Sequence, residues 1–124
     1  MSEPNANLPA EIGQRAFDFA VRIVAFCRTL DQKPGVNWTL SRQLLRSGTS
    51  VGANIEEGKG SQSRADFCSK YSIAVKEARE TLYWLRLIEQ TGVASSKELA
   101  ELLREADEIV RVLTAIVKKV KANP

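Results

Sequence analysis

The stretch RSGTSVGANIEEG, Arg46 to Gly58, carries the side chains best suited to chemistry: three glycines, three hydroxyls, an amide and two carboxylates. Glycine-rich runs of this kind cradle phosphates when their backbone N–H groups line a loop ahead of a Lys and a Ser or Thr. Here the spacing fails. Five residues separate Gly52 from Gly58 where four are needed, and Gly60 stands after Lys59 where the magnesium-binding hydroxyl belongs. A second chemistry is an acid–base pair of carboxylates, Glu57 with Glu77. No nucleophile, metal or cofactor signature accompanies it. The chain has no histidine, which removes Ser–His and Cys–His catalysis. Its two cysteines, Cys27 and Cys68, are not a Cys-x-x-Cys pair, so no metal and no cofactor is expected, and both read as buried, reduced thiols in helical patterns. The chain is therefore expected not to be an enzyme.

The elements that must position these residues are all helical. Ile12, Ala16, Phe19, Ile23, Phe26 and Leu30 recur at steps of three and four, predicting a helix over about 9–30 that starts at Pro9. DQKPGVN breaks it. In the next segment Leu40, Leu44, Val51 and Ile55 fall within an arc of about 60° when projected at 100° per residue, with Gly48 beside them. RSGTSVGANIEEG is thus the second half of a helix over about 38–60, and the Gly48–Gly52 pair lets another helix backbone approach closely. A third helix, 64–91, starts at Ser63 with Asp66 three residues on and stops at Gly92. A fourth, 96–121, starts from a Ser95–Glu98 capping box and carries a heptad-like seam from Leu99 to Val120. No period-two alternation suggests a strand. Four apolar stripes joined by short connections predict one all-α domain, an up-down-up-down antiparallel four-helix bundle over residues 1–124, with the first seven and last three residues frayed.

Three sets of surface residues follow. Arg46, Ser50, Asn54 and Glu57, with Gln43 and Ser47, share one side of the second helix. Glu77 projects between two apolar sets on the third, so it needs a cation, and Arg46 is the natural partner for Glu77 or Glu80. This predicts a polar seam that fixes helix register. Ile73, Trp84, Leu87 and Ile88 extend the third helix's apolar surface beyond what one core requires, which marks an interface between copies. Arg104, Arg111 and Lys118 are spaced by seven, and so are Arg15 and Arg22. These stripes are either phosphate contacts for RNA or DNA or solvated faces, since Glu101, Glu105, Asp107 and Glu108 are interspersed. The net charge of +3 permits a nucleic-acid partner without requiring one. No apolar run reaches the roughly 18 residues of a membrane span, and the first residues lack a signal peptide's basic head and apolar block, so a cytoplasmic location is expected.

Leu40–Gly92 closely resembles the bacterial four-helix-bundle proteins encoded in intervening sequences of large-subunit ribosomal RNA genes. RSGTSVGANIEEG, RADF and VKEARETLYWL carry the resemblance, and the outer helices follow in pattern and length. It implies a four-helix bundle and a ring-shaped homopentamer. The family is also similar to the basic, pentameric accessory protein of diversity-generating retroelements, thought to engage nucleic acid and a reverse transcriptase. Two functions are thus in view: an oligomer binding RNA or DNA through its basic stripes, and a scaffold that holds a protein partner without nucleic acid.

Overall fold

A computed structural model of the chain describes residues 4–123, with side chains from residue 11 onward. Four α-helices account for nearly all of it: α1 (Pro4–Leu30), α2 (Val36–Lys59), α3 (Arg64–Thr91) and α4 (Lys97–Ala122). Each packs on its neighbours in the order α1–α2, α2–α3, α3–α4 and α4–α1, and among the described residues neither diagonal pair is in contact. Short loops and a closed ring of neighbours define the antiparallel up-down-up-down bundle.

The caps follow the physics of orphan backbone groups, with two departures from expectation. Ser63 accepts from the Asp66 amide at 3.0 Å, and Gly92 closes α3 in the left-handed conformation at φ 71°. At α4 the cap is Ser96, which accepts from the Leu99 amide at 3.1 Å, in place of Ser95. Ser96 caps through its hydroxyl alone, since Leu99 stands three residues on, and this leaves Glu98 available to reach α1 rather than close a capping box. α1 begins at Pro4, ahead of Pro9, so residues 4–7 belong to the helix, while residues 1–3 of the expected frayed segment and Pro124 lie outside the described residues. Proline fits a first turn without losing a bond, and Pro4 takes that place.

The core stripes are those of the sequence: Ile12 to Leu30 on α1, Leu44, Val51 and Ile55 on α2, Tyr71 to Ile88 on α3 and Leu99 to Val117 on α4. Small residues set the α1–α2 approach. A Cβ on Gly52 would stand 3.6 Å from the Ala16 backbone, and one on Gly48 would come within 2.9 Å of Ile23 Cγ2. Cys27 is buried and its Sγ lies 3.5 Å from the Ser41 carbonyl; burial pushes the thiol above its ordinary value. Cys68 is only half-buried, and both thiols are free.

Candidate functional site

The α2–α3 seam forms around Arg46. Its guanidinium donates to Glu77 Oε1 at 3.4 Å and to Glu80, and Glu80 also accepts from Trp84 Nε1 at 2.9 Å. Beneath this exposed cluster, the hydroxyls of Ser47 and Thr81 bond to each other at 2.9 Å in full burial. Farther along, Lys70 Nζ meets Glu57 Oε1 at 3.1 Å. Three of the expected seam residues, Arg46, Glu77 and Glu80, therefore converge. Glu57 joins the seam through Lys70. Ser50 and Asn54 instead turn back onto their own helix, donating to the Arg46 carbonyl at 2.6 Å and the Ser50 carbonyl at 2.9 Å. In a helix, short polar side chains find the carbonyl four residues back before they find a neighbour. Glu57 and Glu77 do not form an acid–base pair. Each is held by its own cation, and Lys70 and Glu77 stand two turns, about 10 Å, apart along α3. Thr81 and Lys70 escaped sequence reasoning; Thr81 reads as an ordinary helical threonine until Ser47 is placed opposite it.

The basic stripes resolve into ion pairs across the α1–α4 groove. Arg15 makes a two-pronged pair with Glu105, Nε at 2.7 Å and Nη2 at 2.9 Å. Arg22 reaches Glu98 through Nε at 3.3 Å and Nη2 at 3.1 Å, and Nη2 also touches Glu101 at 3.3 Å. Hydrogen bonds donated to these carboxylates hold both guanidinium pKa values above the ordinary arginine value, against a smaller desolvation effect. On α4, Arg111 donates to Asp107 at 3.0 Å. Arg104 lines the same shallow groove as Arg15 and Arg22, with Glu101, Glu105 and Glu108 alternating among them. Arg104 and Lys118 have no carboxylate partner among the described residues. A phosphate approaching Arg15 or Arg22 would have to displace a carboxylate already in place. Arg15 and Arg22 thus brace α1 against α4, a role the sequence could not supply because projection does not show which faces meet, whereas Arg111 pairs within its own helix and stays 74% exposed.

These pairs have a pH signature. The Arg22 hydrogen bond holds Glu98 below its ordinary value of 4.5. A depressed folded-state value contributes stability that is fully present above the ordinary value and is lost as pH falls through the folded one. Urea melts taken from neutral pH downward are expected to lose stability below about pH 4.5, with a shallower loss in Glu98→Gln. Equal slopes in the two proteins would show that the pair does not couple to folding.

A family profile described as 23S rRNA-intervening sequence protein matches residues 10–115. The chain belongs to this family. A search among curated proteins gave no match. Among solved structures, the chain is similar to a crystal structure of a protein of unknown function from the S23 ribosomal protein family of Bacteroides thetaiotaomicron VPI-5482. The two share 42% identity and a TM-score of 0.81, covering 90% of this chain and 98% of that one. No enzymatic family is indicated.

In this intervening-sequence family member the apolar surface lies partly where the sequence placed it. Ile73 is 38% exposed, Leu87 is half-buried, and Trp84 is half-buried with its indole tied to Glu80. Ile88 is fully buried in the core and leaves the expected interface, because the α3 stripe toward α2 and α4 is wider than one projected arc. The larger exposed set is on the other side. Phe17, Val21 and Val24 follow at steps of four and three on α1, and Phe17 and Val21 are 62% and 55% exposed. Trp38 and Leu45 are exposed on α2, seven residues apart and projecting beside Ser41 and Gly48, which face α1. Because Ile23 abuts Gly48 and Cys27 meets Ser41, Val24 and Leu45 lie at the same level of the bundle. The five side chains border one α1–α2 face.

No helix of the described chain is long and apolar enough to cross a membrane. Tyr71 is the largest side chain in full burial, stacked on Phe67 with ring centroids 4.1 Å apart. Its hydroxyl has no hydrogen-bond partner, and burial, with a smaller effect of the Glu56 charge, raises its pKa. An unmet buried hydroxyl carries its full desolvation cost, so Tyr71→Phe is expected to raise stability by about 1 kcal/mol in denaturant melts. A loss of stability would reveal a partner for the hydroxyl in solution.

Proposed function

We propose that this family member is a non-enzymatic, self-associating scaffold, a homo-oligomer whose copies meet through the α1–α2 face. The observation that carries this reading is the row Phe17, Val21 and Val24 standing out of a bundle whose core is already filled. Contiguous large apolar side chains on a soluble bundle mark an interaction surface. A homopentamer is the assembly that the family resemblance implies. The titratable side chains support a structural role: Glu57, Glu77, Glu80, Glu98, Glu101 and Glu105 are each engaged by an arginine or a lysine.

The scaffold reading is favoured over RNA or DNA binding because Arg15 and Arg22 are already paired across helices, which leaves only Arg104, Arg111 and Lys118 of the five basic residues for phosphates. Light scattering at tens of micromolar is expected to give a mass several-fold above the 13.7 kDa of the chain. A monomer would overturn the proposal. Filter binding with structured RNA at low and moderate salt separates the two functions. Tight binding that is lost with added salt would transfer the reading to nucleic acid, since phosphate contacts release counterions.

A further inference from the structure

We propose that the end of the bundle holds a binding site for a small phosphate monoester with an apolar body. A cleft of about 610 Å³ opens there between the α2–α3 loop, the start of α3 and the last turns of α4. That volume is in the range of small-molecule sites. Its apolar wall is Phe67, Ile116 and Val120, and its two cations are Arg64 and Lys119. Among the described residues neither cation has a carboxylate partner and no carboxylate side chain lines the cleft.

The contrast with the α1–α4 groove is chemical. There three arginines face three glutamates and cancel, whereas here two cations stand uncancelled over an apolar wall. A phosphate monoester carries close to two negative charges at neutral pH and takes several hydrogen bonds at once, which suits a guanidinium beside an ammonium. One hydroxyl adds a donor. Ser63 Oγ accepts from the Asp66 amide, which leaves its own proton to give. An inorganic ion would satisfy the cations and the hydroxyl and leave Phe67 and Val120 uncovered; an alkyl or aryl group on the phosphate covers them.

The test is a titration of the isotope-labelled protein with hexyl phosphate, followed by amide chemical shifts. Saturable shifts are expected within residues 61–67 and 115–123, at the two sides of the cleft. The combined Arg64→Ala and Lys119→Ala variant is expected to bind about tenfold more weakly or worse, with its thermal midpoint unchanged, because both side chains are exposed. Hexanol and inorganic phosphate are each expected to bind at least about tenfold more weakly than the ester, since each offers half of the recognition. The proposal is overturned if the double variant keeps full affinity, if inorganic phosphate binds as well as the ester, if shifts centre on Phe17 and Val21, or if nothing saturates. Scaffold assembly is read separately by mass, so either result stands without the other.

Discussion

Gly58→Ala is expected to cost about 2–3 kcal/mol of stability, although alanine is the better helix former. An added Cβ would stand 2.6 Å from Tyr71 Cε1 and 2.7 Å from Cδ1. The ring has nowhere to go: Tyr71 is fully buried and stacked on Phe67. Relief would require α2 and α3 to separate, which opens the Arg46, Ser47 and Glu57 contacts along the seam. Gly52→Ala is the control. Its Cβ would sit at an ordinary contact distance, 3.6 Å, from the Ala16 backbone, so the propensity gain of up to about 1 kcal/mol is kept. Gly48→Ala falls between, at 2.9 Å from the side chain of Ile23. Urea midpoints are expected to rank Gly52→Ala, the native protein, Gly48→Ala and Gly58→Ala from most to least stable. A Gly58→Ala protein as stable as the native one would show that the Tyr71 ring can shift.

Phe17→Glu is expected to weaken self-association by about thirtyfold or more, about 2 kcal/mol, while leaving helicity intact. The side chain is 62% exposed within the single chain, so the substitution leaves the core unaltered. A carboxylate placed in a desolvated interface has no partner there and resists burial. Concentration-dependent light scattering reads the change. Leu87→Glu is the counter-test, because Leu87 belongs to the α3 surface expected from sequence. Dissociation by Leu87→Glu with Phe17→Glu still assembled would move the interface to α3.

The bundle was legible from periodicity because each helix had to bury one stripe, and burial is a property of a single helix. α3 is the best case: Ser63, Asp66 and Gly92 set its ends, and Arg64–Thr91 is what formed. Relationships between helices were legible only where one residue demanded a partner. Glu77, flanked by apolar side chains, pointed to Arg46 and found it. Arg15 and Arg22 carried no such demand, since an exposed arginine is content in water. Their glutamates lie 76 to 90 residues away, and no spacing rule connects them. Gly58 was hidden for a different reason. A glycine near a helix end reads as a stop signal, and its contact with Tyr71 depends on how closely α2 and α3 approach.

The Arg15 and Arg22 pairs also bear on how the chain acquires its shape. α2 and α3 are joined by residues 60–63 alone and meet at little entropic cost, whereas α1 and α4 come together only after nearly the whole chain is spanned. Contacts of long sequence separation are the slow ones to reward. The α1–α4 contact is therefore the one expected to close last. Interactions made after the barrier act on escape from the native state rather than on its formation. The arginine bracing is in this sense a latch: it governs how long a folded molecule stays closed more than how fast one forms.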